Sequence, residues 1–127
     1  MEKILIAILC ALAGVGSTQD APVVWGGDHI EMEVTRKGAR LEFDCARGTI
    51  DEPLRADSQG AFKLKGTFTP ERGGPSRDEN APAPKATYSG TIYGTAMTLK
   101  VVIEGGDAKG TTYELARDQR GNVRKCR

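Results

Sequence analysis

Strict alternation of apolar and polar residues limits this chain more than any other feature. Ile30, Met32 and Val34 alternate with His29, Glu31, Glu33 and Thr35, and Ala39, Leu41, Phe43 and Cys45 with Arg40, Glu42 and Asp44. The same period of two runs through Phe62, Leu64, Gly66 and Phe68, and again through Met97, Leu99, Val101 and Ile103. Such a pattern buries one face of a strand and wets the other, as antiparallel sheets allow. Ala86 to Tyr93 and Thr111 to Leu115 are rich in β-formers, and Asn122 to Cys126 has the makings of a last short strand. Ile50 to Leu54 is a further strand, confined to an edge or a bulge by Pro53. Sixteen glycines and six prolines supply turns between these runs, and no segment past residue 17 carries a 3.6-residue period. The expected fold is all-β, an antiparallel meander of about eight short strands closed into a small barrel, with a two-sheet β-sandwich as the alternative.

The first residues follow a different rule. Met1-Glu2-Lys3 precedes an unbroken apolar run from Ile4 to Ala13, then the small residues Gly14 to Ser17. That order is the pattern of a secretory signal peptide, and the run is short of the ~20 residues a membrane span needs. Residues 1–17 are therefore expected to be removed, leaving an N-terminal segment 18–27 and a single β domain 28–127, with no membrane span in the mature chain. The length of 127 residues holds one domain. A formal net charge of +1 excludes nucleic-acid binding by bulk electrostatics. Loss of the signal also removes Cys10, and the two cysteines that stay, Cys45 and Cys126, are expected to pair in an oxidising compartment. Closing a loop of roughly 80 residues stabilises by about 4–5 kcal/mol in the chain-entropy view.

Two features point to where the chain acts. From Pro70 to Pro84 the composition is Pro, Gly and charge with no apolar pattern, a long exposed loop that is either mobile or a recognition element. The first hairpin can be registered by parity: a two-residue Lys37-Gly38 turn makes paired numbers sum to 75. It places Val34 opposite Leu41 and Met32 opposite Phe43 inside, and Glu33 opposite Glu42 and Glu31 opposite Asp44 outside, with His29 just beyond. Like charges across a ladder repel, so something offsets them. The first reading is the basic C-terminal segment, where Arg117, Arg120, Arg124, Lys125 and Arg127 would lie beside the first strand on closure. A hard divalent cation or a basic partner protein are the other two.

Catalytic patterns are sparse. His29 is the single histidine, and Ser58, Ser76 and Ser89 lack the neighbours of a hydrolase elbow. Arg72-Gly73-Gly74-Pro75 lacks the lysine-serine ending of a phosphate-cradling loop. No motif implies a cofactor. Trp25, ahead of the first strand, reads as a plug for one barrel end.

A single tryptophan before the first strand, a meander of short strands and a late cysteine bridge resemble, in outline, the lipocalin-like small barrels. The run from Tyr88 through Gly90, Gly94 and Leu99 is similar to a pattern of small secreted bacterial β domains of unassigned role. The lipocalin order Gly-x-Trp is not present, since the glycines follow Trp25, and the chain is shorter than a lipocalin; the resemblance implies a barrel without a large cavity. The expected function is that of a secreted or periplasmic, monomeric, non-enzymatic binding module for a protein or a small apolar molecule. Its candidate surface is Trp25, His29, Glu31, Glu33, Glu42 and Asp44. The alternatives are an inhibitor-like envelope protein acting on a hydrolase, and a metal-assisted hydrolase centred on His29.

Overall fold

The computed structural model describes residues 22–71 and 83–126. The signal segment 1–17, and residues 72–82 of the Pro70 to Pro84 stretch, lie outside the described residues. Eight strands follow one another in chain order: β1 (Val23–Gly27), β2 (Ile30–Val34), β3 (Ala39–Phe43), β4 (Ala46–Ile50), β5 (Ala61–Pro70), β6 (Lys85–Tyr93), β7 (Ala96–Ile103) and β8 (Thr111–Arg117). Each pairs antiparallel with its neighbour, and β8 pairs with β1, so the sheet closes into a barrel. Closure removes the free sheet edges that a sandwich would keep.

The interior is the inward half of every alternation. Trp25, Ile30, Met32, Leu41, Phe43, Tyr88, Met97 and Leu99 are buried together, and Met32 and Leu99 have 0% exposure. Outward positions carry Glu31, Glu33, Arg40, Glu42, Lys63, Lys65 and Lys100, so the apolar side of the sheet is the inside. Tyr88 brings a hydroxyl into this interior and donates it to the Thr67 carbonyl at 2.5 Å. Gly48 makes room for it: a Cβ there would run into the Tyr88 hydroxyl. Phe43 packs obliquely on Phe68 and Tyr113, with ring centroids 5.0 and 5.5 Å apart.

Three strand assignments differ from the sequence reading. The barrel starts five residues earlier than expected, because Val23–Gly27 is a strand rather than part of an N-terminal segment. Trp25 accordingly sits in the barrel wall at 4% exposure, facing Met32 across the ladder. The strand near Pro53 is replaced by β4, which ends at Ile50. Residues 122–126 form no strand; the closing strand is β8, and the tail beyond it makes an isolated parallel bridge, Asp28 to Asn122.

The register of the hairpin β2–β3 also differs. Val34 faces Ala39, Met32 faces Leu41, Glu33 faces Arg40 and Glu31 faces Glu42. The turn takes four residues instead of two, closed by the Thr35 N–H donating to the Gly38 carbonyl at 2.8 Å. Parity allows this register and the one with sum 75 equally, so the inward set is unchanged. Charge separates them: the observed one sets Glu33 against Arg40, with a 3.0 Å ion pair, in place of Glu42.

Candidate functional site

The tail after β8 organises the outer face of β1–β3. Arg117 ends β8 level with Trp25, and Asp118 turns the chain back with φ 61°, its N–H donating to the Val24 carbonyl at 2.6 Å. From there the tail lies flat on the sheet. It can do so because Gly26 points outward without a side chain; a Cβ there would meet the backbone of Gln119, Arg120 and Gly121. Gly121 is equally flush, against the Ile30 carbonyl and the Glu31 side chain. The Asn122 N–H donates to the Gly27 carbonyl at 2.9 Å, and the Asn122 carbonyl accepts the His29 N–H at 2.7 Å.

Three of the four carboxylates named from the sequence meet this tail, Glu33 pairing instead with Arg40, and their partners are only partly those expected. Glu31 accepts the Gly121 N–H at 2.7 Å, and Asp44 accepts the Arg124 N–H at 2.7 Å. Glu42 pairs with the Lys125 ammonium at 2.7 Å. The C-terminal segment does meet the acidic patch, and among the described residues it answers with backbone N–H groups and the Lys125 ammonium. Of the six surface candidates, Trp25 belongs to the core and drops out of the surface. His29 and Asp44, in the β1–β2 and β3–β4 turns, are hydrogen-bonded through Nδ1 and Oδ2 at 2.6 Å.

The electrostatics follow from these contacts. The Arg124 N–H, then the bond and charge of His29, hold the Asp44 carboxyl below its ordinary value of 3.8. Partial burial alone would lower the Lys125 ammonium; its bonds to Glu42 and Glu71 outweigh that and raise it. Lys125 also donates to the Ala46 carbonyl at 2.9 Å and the Phe43 carbonyl at 3.3 Å, so it clamps the β3–β4 turn as well. Burial raises the Tyr113 hydroxyl, helped by the nearby Asp44 charge.

Cys45 and Cys126 are paired, with Cα atoms 4.8 Å apart and a sequence separation of 81. Cys45 lies in the turn after β3 with φ 55°, not at a strand end. Its N–H donates to the Arg124 carbonyl at 3.1 Å, and its carbonyl accepts the Glu71 N–H at 2.8 Å. The bond pins the far end of the tail to the barrel end that holds His29 and Asp44.

Between the tail and the sheet runs a groove of about 580 Å³. Its floor is Val24, Glu31, Glu33, Arg40 and Glu42, and one wall is Asp118, Gln119 and Arg120. Four carboxylates against two guanidinium groups leave it negative. A second hollow of about 700 Å³ lies at the opposite barrel end, between the turn at Asp57–Gly60 and the β6–β7 turn, where Tyr93 is 77% exposed. Among the described residues no cluster of three or more His, Cys, Asp or Glu side chains could hold a metal ion, and no helix is long and apolar enough to cross a membrane.

The sequence reading missed Gly26, Glu71, Asp118 and Gly121. The available signals were two adjacent glycines in Val23–Gly27 and a lone glycine inside the basic tail. Fold and site together define a strapped, eight-stranded antiparallel barrel whose outer face is the shaped surface. Comparison with family models, curated proteins and solved structures found no match.

Proposed function

We propose that this protein is an exported, non-enzymatic binding module that takes a basic segment of a partner protein along the groove outside β1–β3. One observation carries the reading: the barrel interior is filled by packed side chains, while the shaped and charged concavity lies outside it. An apolar ligand needs a dry cavity, and Met32, Phe43 and Leu99, which would line one, are packed and buried. The negative groove suits lysine or arginine side chains, whose long stems can lie on Val24 while their heads meet Glu33 and its neighbours. An inhibitor of a basic-surfaced hydrolase is one form such a module takes. In this reading the lipocalin outline is kept and the lipocalin mode of binding is not. Export by the segment 1–17 fits the Cys45–Cys126 pair, which persists in oxidising compartments.

The test uses the mature protein and fluorescently labelled peptides of four kinds: arginine-rich, lysine-rich, acidic and apolar. Polarisation should rise with the basic peptides alone, fall at high salt, and be lost in Glu33→Lys, which reverses charge on the groove floor without touching the tail contacts. Equal binding of acidic and basic peptides, or binding indifferent to Glu33→Lys, rejects the reading.

A further inference from the structure

The tail is fastened in an unusual way. Among the described residues, the non-glycine positions with left-handed φ are His29, Cys45 and Asp118, at 71°, 55° and 61°. Each ties the strap to the barrel through its N–H: His29 donates to Asn122 and Cys45 to Arg124 in the tail, and Asp118, the tail's first residue, donates to Val24 of β1. Backbone held in this region persists only where surrounding contacts over-determine it. Here those contacts are the tail's own.

Apart from the Lys125 clamp and the Cys126 sulfur, the tail is not anchored by buried side chains. Every described residue from 118 to 126 is exposed or half-buried. The tail is held by N–H groups on Glu31 and Asp44, by the Lys125 clamp, and by the Cys45–Cys126 bond. Water competes for exposed polar bonds, so each adds little net. The covalent bond is what keeps the tail's far end at high local concentration over its polar partners. Cys126 is exposed and Cys45 half-buried, so the bond can be reached from outside through Cys126.

We propose that the Cys45–Cys126 bond is a redox latch: its reduction by a dithiol releases residues 118–126 from the outer sheet and dismantles one wall of the groove. The gating half of this proposal rests on the groove reading above; the release of the tail does not. A thiolate of the dithiol attacks the Cys126 sulfur, forming a mixed disulfide and expelling the Cys45 thiolate, which takes up a proton. The second thiol of the reductant, losing its proton, then attacks its own sulfur in the mixed disulfide, closes the reductant's disulfide and frees Cys126. Two electrons pass to the protein and the dithiol is oxidised. With the tail free, Asp118, Gln119 and Arg120 no longer wall the groove, and Glu31, Glu42 and Asp44 lose their tail partners.

Hydrogen exchange by mass spectrometry on the mature protein, with and without dithiothreitol, tests the release. Reduction should speed exchange at Gly121, Asn122 and Arg124 at least tenfold and leave Leu64, Tyr88 and Leu99 protected. A tail that keeps its protection overturns the latch. So does loss of protection throughout β5–β7, which makes the bond a structural staple. Cys45→Ser combined with Cys126→Ser should reproduce the reduced pattern without reductant. The arginine-rich peptide, titrated against both states, should bind the reduced protein at least tenfold more weakly; a free tail with unchanged affinity overturns the gating. Should that peptide fail to bind the oxidised protein, the groove reading and the gating both fall, and the exchange data still decide the release.

Discussion

Single atoms decide how the tail lies. At Gly26 a methyl group would occupy the space now held by the backbone of residues 119–121. Gly26→Ala should therefore lift the tail and destabilise the fold by about 1–3 kcal/mol, the usual cost of overpacking, seen as a lower denaturant midpoint with an unchanged slope. Gly48 is the interior counterpart, because its missing Cβ makes room for the Tyr88 hydroxyl. Gly48→Ala should cost about 1–3 kcal/mol, and Tyr88→Phe in the same chain should recover part of it, a coupling that a double-mutant cycle measures directly. Asp44 gives the tail a pH dependence. Its carboxyl is held below 3.8 by the Arg124 N–H and by His29, so its contribution is complete above the ordinary aspartate range and is lost as pH falls through the lowered value. Acid titration followed at the Arg124 amide by NMR should show this loss, and Asp44→Asn should abolish the titration. The carboxylates were legible in the sequence as one outward set, since alternation is local. Their partners were not, because a backbone N–H that lies 90 residues away, as for Glu31, or 80, as for Asp44, leaves no mark in a side-chain pattern.

At the scale of elements, the strands that escaped the sequence reading escaped for physical reasons. The outward positions of β1 are Val24, on the groove floor, and Gly26, which the tail covers, so no polar residue marks its outer face. The inward positions of β4 are Ala46, Gly48 and Ile50, kept small where Tyr88 reaches across. The stretch 122–126 looks like a strand but gives the Asn122 N–H to the Gly27 carbonyl at the end of β1 and the Arg124 N–H to the Asp44 carboxylate. The seam is an element-level consequence. β8 and β1 pair at two positions, against five to eight in the other ladders. The tail bonds to Val24 and Gly27 just beside that seam. Native-state hydrogen exchange should find β1 and β8 opening before β5–β7, the ordering expected when local stability follows hydrogen-bonded pairing.

For the molecule as a whole, a filled interior makes the core sensitive to volume. Met32→Ala should cost about 2–5 kcal/mol, read from chemical denaturation, while leaving peptide binding to the outer groove intact in the folded fraction. Loss of binding in the folded fraction would place the ligand inside instead. The formal net charge of +1 is a balance between opposed regions that the closed fold brings together. Residues 28–57 carry eight acidic against five basic side chains, and 117–127 five basic against one acidic. The pairing of Cys45 with Cys126 has a consequence for the chain's connectivity. It closes a covalent ring that contains β4 to β8 and leaves β1 to β3 as a free arm. A protease that cuts once anywhere between residues 46 and 125 opens the ring without dividing the molecule. Such a nicked chain runs as one species until it is reduced, so the protein can be cut in this span and still stay in one piece.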